Sequence, residues 1–381
     1  MKTLILTCNT GEGHNSTAAA IKNVFDARSQ VCESADTLAF LSPLVSRAVC
    51  HAHARIYRYM PRAFDAGYRA AEEHPDAFRR KSVLYRLLTR GVKKLYRHIV
   101  DGGYDTVVCT HAFSALLATG LKEKYPSLKI YTAFVATDYT CSPSVKECNM
   151  DVFFIPDASL TDDFSSKGVP VERIVPTGLP VRTPFLSRTP RKQACRACDL
   201  PQDKRHLIMM CGSMGCGPMQ ELAQRLADDV PDDVMVTVIC GTNKELERKL
   251  SRRFAGRDNV RVLGFVKNVP ELMDCAELYL TKPGGISVTE AAAKGLPMVL
   301  INAVAGCEQY NLQYNVERGM AKTADAPEAI SALCVSLLSD ADALADMRRQ
   351  IAHCAHNDAA ERIFEHLAGV NEHNTGENDS Q

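Results

Sequence analysis

The chain has 381 residues, 46% of them hydrophobic, and its 45 Lys/Arg are matched by 45 Asp/Glu for a formal net charge of zero. That length supports two domains, each burying its own core, and neutrality removes any overall electrostatic pull toward nucleic acid. No apolar run approaches the roughly 20 residues of a membrane-spanning helix.

In chain order, MKTLILTCNTGEGH passes from an apolar run into a glycine loop without a cleavage site. It reads as a first strand and not as a signal peptide. LILTC (4–8) is that strand, and a helix is predicted from Ser16 to about Arg28. The loop between them resembles a phosphate loop. However, it lacks the Lys-Ser/Thr of a P-loop, and its spacing does not match G-x-G-x-x-G. His14 sits at its tip, where it could act as a base, bind an acceptor hydroxyl, or merely cap its helix. From Arg47 to Arg97, 13 Lys/Arg stand against 4 Asp/Glu, and seven aromatics from Tyr57 to Tyr96 are interleaved.

Strands follow at TVVCT (106–110), IYTAFVAT (130–137), VFFIP (152–156) and RIVPTG (173–178). A polar, Pro/Arg-rich segment at 187–205 is expected to link a first domain, 1–186, to a second, 206–369. The second begins again with LIMMCGSMG (207–215), MVTVIC (235–240), VRVLGF (260–265), LYLTKP (278–283) and PMVLI (297–301). Near-continuous apolar strands separated by helices predict parallel sheets covered on both faces, an α/β fold in each half. The polar segment 370–381 is expected to be disordered. The 15 cysteines show no disulfide framework and read as reduced, structural thiols. Cys195, Cys198, Cys211 and Cys216 have tempting spacing, but two of them fall at a strand end and in a glycine turn, which argues against zinc.

The most informative stretch runs from Thr281 to Asn315. There a Lys-Pro-Gly-Gly turn opens onto a helix at Ile286. Its first amides lack intrahelical partners and carry the positive end of the helix dipole, so Gly284, Gly285 and Ile286 form a phosphate seat. Glu290, one turn further in, suits the hydroxyls of an attached ribose, and Glu308, Gln309, Asn311 and Asn315 form a second polar cluster. Gly212 and Ser213, in GSMG after another strand, could also grip a diphosphate or form a plain turn. Backbone near Val266 could read the edge of a base, with Phe265 beside it as a possible core residue. Ligands bind beyond the carboxyl ends of parallel strands. Two sheets facing each other across a cleft would therefore bring the three glycine loops together.

The motifs GEGHNSTAAAI, VATDY, IVPTGLPVR and TKPGGISVTEAAAKGLPMVLINAVAGCEQYN carry a resemblance from Leu4 to about Met320. The chain resembles the two-Rossmann GT-B glycosyltransferases, most closely the processive diacylglycerol glucosyltransferase and monogalactosyldiacylglycerol synthase family. The resemblance implies two doubly wound domains and a UDP-glucose or UDP-galactose donor. It implies an inverting transfer to diacylglycerol; the alternatives are a GT-B enzyme with a non-lipid or cell-wall acceptor, or a nucleotide-sugar epimerase or sensor on the same fold. By the same resemblance, Glu290 would hold ribose, and Ser213, Gly284, Gly285 and Ile286 the diphosphate. Val266 would meet uracil, Glu308 and Gln309 the hexose, and His14 and Asp138 the acceptor, with Asp138 and His14 the two candidates for the catalytic base that takes its proton. Where the family usually shows a histidine and a tryptophan after VATDY, this chain reads TCSPSVKECNMD, and it has no Trp. Beside a lipid acceptor, the basic stretch, with Arg55, Tyr57, Arg58 and Arg62, is expected to lie on anionic lipid at the inner face of the cell membrane. Neither a metal nor a resident cofactor is expected. The one D-x-D, Asp340–Asp342, lies in a helical, Ala-rich segment and reads as solvated surface.

Overall fold

The computed structural model describes residues 1–9, 11–73, 79, 82–301 and 306–378. The chain forms two compact units, one of Met1–Arg182 with His356–Gln381 and the other of Thr183–Ala355. The division differs from the expected one at two places. Residues expected to link the domains instead include the helix Arg191–Ala197 inside the second unit. Residues 356–369, expected in the second domain, belong to the first unit, and residues 370–378 of the expected disordered tail continue the helix Ala359–Asn378 there.

The first unit is built on six parallel strands: β1 Lys2–Thr7, β2 Val31–Asp36, β3 Thr106–Cys109, β4 Tyr131–Val135, β5 Val152–Ile155 and β6 Ile174–Pro176. They are ordered β2-β1-β3-β4-β5-β6. Strands β3 and β5 are buried at every position, as a sheet covered on both faces requires. One covering layer comes from the C-terminal helix: Ile363, Phe364 and Leu367 pack with Ile5, Ile21 and Phe25, and the Phe25 and Phe364 rings meet edge-on at 4.9 Å. The helix after β1 starts at Glu12, four residues before the expected Ser16, because the chain turns directly off an extended Gly11. His14 therefore lies in a helical first turn and not at a loop tip.

The second unit has strands β7 Arg205–Met210, β8 Val234–Ile239, β9 Val260–Leu263, β10 Leu278–Thr281, β11 Met298–Leu300 and β12 Ala321–Thr323. Their order is β12-β11-β10-β7-β8-β9, all parallel. Counted from β7, this is the doubly wound order of a dinucleotide-binding sheet, with its reversal between β7 and β10. The loops after β7 and β8 touch backbone to backbone: a Cβ on Gly241, at φ +57°, would lie 2.2 Å from the Ser213 carbonyl oxygen. Only glycine allows that approach.

A buried ion pair anchors the C-terminal end of the helix Gly285–Ala293. Lys294 meets Asp274 at 2.8 Å, with the two side chains 2% and 4% exposed. The same lysine donates to the Ser187 carbonyl, and the Thr189 amide donates to the same aspartate oxygen at 3.1 Å. Removing the lysine alone strands a buried carboxylate. Lys294→Met should therefore cost about 3–5 kcal/mol of unfolding free energy, read as a fall in the urea midpoint. A midpoint unchanged from that of the parent chain would show that the pair carries no such charge balance.

Candidate functional site

In the second unit the strand reversal places the ends of β7 and β10 side by side, with their connections leaving to opposite faces. The helix after β10, Gly285–Ala293, begins at Gly284 with no side-chain cap, so its first amides are not satisfied by a neighbouring side chain. Its start is fixed from below. The Tyr279 hydroxyl, on a fully buried ring, lies 2.9 Å from the Ser287 hydroxyl, and Thr281 donates to the Met210 carbonyl at 2.7 Å. Glu290 is one turn in and buried.

The helix Cys307–Glu317 also begins without a side-chain cap, after Gly306 at φ +52°. Asn311, fully buried, donates to the Pro283 carbonyl at 3.0 Å and so ties this helix to the Lys-Pro-Gly-Gly turn. Glu308 is buried and ion-paired with Lys282, whereas Gln309 is exposed. Gly212 has φ +69°, and a Cβ there would lie 2.9 Å from Lys282 Cε. After GSMG the next helix starts at Met219, and the Gly215 and Cys216 amides close turns onto the Gly212 and Cys211 carbonyls at 3.3 Å. The neighbouring Gly212 and Ser213 thus belong to a loop and not to a helix terminus. Val266 is partly buried beyond β9, and Phe265 is 58% exposed, so Phe265 is not a core residue.

In the first unit the reversal falls between β1 and β3. The two connections bring His14 and His111 together, ring centroids 4.5 Å apart and edge to face. His14 Nδ1 lies 2.7 Å from the Thr110 carbonyl oxygen, which places a proton on Nδ1 and leaves the Nε2 lone pair available. It therefore does not cap its own helix. His111 has the opposite tautomer, because its Nδ1 accepts from the Phe113 amide at 3.0 Å. Burial pushes the His14 pKa down, while the charge of Asp138 and the Thr110 bond pull it up. Burial also holds His111 well below its ordinary value, helped by His14 and His53, and lowers His53, with His14 adding to the effect. Asp138, beyond β4, is linked to His14 through Thr137, whose hydroxyl is 3.3 Å from His14 Nδ1 and 3.4 Å from an Asp138 oxygen.

Of the basic residues, Arg55 is exposed on the helix Pro43–Tyr59, while the side chains of Tyr57, Arg58 and Arg62 lie outside the described residues. On the same stretch of chain Leu44 is 75% exposed, Met60 57% and Val83 86%, and Arg47, Arg86, Lys93 and Arg97 are exposed. Among the described residues no helix is long and apolar enough to cross a membrane, and no group of His, Cys, Asp and Glu is placed to hold a metal ion. Asp340 and Asp342 are exposed, and Asp340 caps a helix.

Sequence reasoning missed His111, His53 and Lys282. For His111 the signal was present: it stands directly beyond an apolar strand, and His14 follows the first strand across a glycine turn. Lys282 was written into the glycine turn but was not read as a charge.

A family model for monogalactosyldiacylglycerol (MGDG) synthase matches residues 14–181, and one for glycosyl transferases group 1 matches residues 203–353. The chain is 26% identical over 351 residues to a processive diacylglycerol beta-glucosyltransferase of Staphylococcus saprophyticus, covering 91% of this chain and 87% of that one. Its fold is similar to that of MurG from Acinetobacter baumannii, at a TM-score of 0.63 and 14% identity over 97% of this chain and 100% of that chain. It is also similar to a putative UDP-N-acetylglucosamine 2-epimerase from Listeria monocytogenes, at 0.64 and 13% over 98% and 97%. At such identities the two structures speak to fold alone.

The histidine cluster makes stability pH-dependent. In the unfolded chain each histidine takes up a proton near its ordinary value of 6.5, whereas folded His111 stays neutral well below it. The unfolded state then binds more protons, so stability falls as pH drops through 6.5. His111→Asn keeps a cap acceptor for Phe113 and removes the titration. Its melting temperature should fall less than the parent's as the pH is lowered from about 7.5 to about 5.5. Parallel curves would show that His111 is not held neutral.

Proposed function

We propose that this chain, whose two halves match family models for monogalactosyldiacylglycerol (MGDG) synthase and for glycosyl transferases group 1, transfers glucose or galactose from a UDP-sugar to diacylglycerol. The observation that carries this reading is the uncapped start of the helix Gly285–Ala293 with buried Glu290 one turn inside it. That arrangement suits a diphosphate followed by a ribose. The epimerase alternative rests on likeness of fold at 13% identity, whereas the monogalactosyldiacylglycerol synthase match spans the segment holding His14, His111 and Asp138.

The transfer forms a bond from the acceptor hydroxyl oxygen to the anomeric carbon and breaks the bond from that carbon to the diphosphate, turning an α-linked donor into a β-glycoside. The acceptor proton goes to His14 Nε2, and the Asp138 charge stabilises the imidazolium that results. The electron pair of the broken bond stays on UDP, where the amides of Gly285 and Ile286, with the loop at Gly212 and Ser213, meet the developing charge. Glu290 takes the ribose, Val266 lies beside the uracil, and Glu308 and Gln309 serve the hexose. This electrostatic arrangement takes the place of a metal ion.

We place the protein peripherally on the inner face of the cell membrane, held by anionic lipid. Leu44, Met60 and Val83 supply apolar contact, and Arg47, Arg55, Arg86, Lys93 and Arg97 supply charge, each worth about 1 kcal/mol near such a surface.

Incubation with UDP-glucose or UDP-galactose and diacylglycerol should yield a monohexosyl lipid and UDP, read by mass spectrometry; UDP without glycolipid would rule the assignment out. Glu290→Ala should raise the donor KM, with a loss in kcat/KM of about 2–3 kcal/mol. In co-sedimentation, binding should appear with anionic vesicles, weaken as salt rises and be absent with neutral vesicles. Equal recovery with both kinds of vesicle would remove the charged surface from the account.

A further inference from the structure

The charge on Lys282 has no place in the scheme above. Its stem crosses Gly212, and its ammonium lies 3.4 Å from where a Cβ on Gly284 would stand. The residue therefore spans the two loops at the strand reversal, one after β7 and one after β10. Its partner there is Glu308, and the two side chains are 15% and 7% exposed. A pair so shielded from water gains little net stability, because desolvation offsets much of the attraction. A lysine ammonium is a compact charge with three donors and binds phosphate oxygens as readily as a carboxylate.

Resting on the donor reading just given, we propose that Glu308 is a stand-in for phosphate. On this account Lys282 exchanges that carboxylate for the diphosphate of the nucleotide, and Glu308 turns to the hexose. The placement of Glu308 makes the exchange cheap. It lies in the first turn of the helix Cys307–Glu317, which has no side-chain cap, so the helix dipole continues to stabilise the carboxylate after the lysine leaves. The lysine loses nothing in charge, because a diphosphate carries more negative charge than the carboxylate it replaces. The exchange also couples two events: the site for the sugar hydroxyls becomes available only when the diphosphate is bound.

The test is calorimetry on the full chain with UDP and, separately, with uridine. Lys282→Met should weaken UDP binding by about tenfold or more and leave uridine binding unchanged, since uridine offers no phosphate. Lys282→Arg, which keeps the charge, should retain most of the UDP affinity. Glu308→Gln should bind UDP at least as tightly as the parent, because the competitor for the ammonium is gone. UDP affinity within twofold of the parent in Lys282→Met would overturn the proposal. So would a fall in Glu308→Gln as large as that in Lys282→Met. Unchanged uridine binding certifies that each variant is folded. A parent chain that binds neither UDP nor uridine would refute the donor reading itself, which distinguishes that failure from a failure of the lysine alone.

Discussion

An all-parallel sheet buried on both faces leaves one region where polar chemistry can sit at low cost, the carboxyl ends of its strands. Every connection must cross one face or the other. Where the strand order reverses, two neighbouring strands send their connections to opposite sides and leave a gap between them. Both sheets of this chain have that reversal, between β1 and β3 in one unit and between β7 and β10 in the other. The residues with the most chemistry lie at those two gaps. His14 and His111 flank the first, while Gly212, Lys282 and the uncapped helix start flank the second.

The two gaps use burial in different ways. In the first unit burial keeps imidazoles neutral, and backbone partners choose the tautomer: the Thr110 carbonyl fixes the proton of His14 on Nδ1, and the Phe113 amide fixes that of His111 on Nε2. An imidazole with an unprotonated Nε2 and a neighbour with a fixed Nε2–H follow from those two bonds. In the second unit burial is tolerated by charged groups because each is compensated, Lys282 by Glu308 and Lys294 by Asp274. One of these pairs stands beside the uncapped helix start and the other behind the helix. They have similar chemistry, yet only the first stands beside helix amides that no side chain caps.

Much of this was legible in the sequence. Ten of the strands are short apolar runs bounded by turn residues, and a fully buried strand has no alternative pattern. The other two were missed for physical reasons. β2, VCESAD, is an edge strand with exposed positions and acidic residues, and β12, AKT, is three residues long. The glycine turn and the two helix starts that carry Glu290 and Glu308 were readable because glycines directly beyond an apolar strand mark the turn into a helix. His111 was not read because a histidine after a strand gains meaning only when a second one faces it, and sequence does not show that facing. The return of residues 356–381 to the first unit was hidden for the same reason. The end of the helix Ala359–Asn378 is polar and reads as a disordered tail in the sequence, and the partners of its apolar face, among them Ile5, Ile21, Phe25 and Phe154, lie more than two hundred positions upstream.

That return sets an order of events on the ribosome. Residues 183–355 form a unit contiguous in sequence, so they can close as soon as they emerge. The earlier-synthesised unit cannot. Ile5, Ile21 and Phe25 wait for Ile363, Phe364 and Leu367, which are translated after the whole intervening unit. The half of the chain made first is therefore the half completed last. During that interval the sheet face under Ile363, Phe364 and Leu367 has only the helix Glu12–Ala27 as its cover.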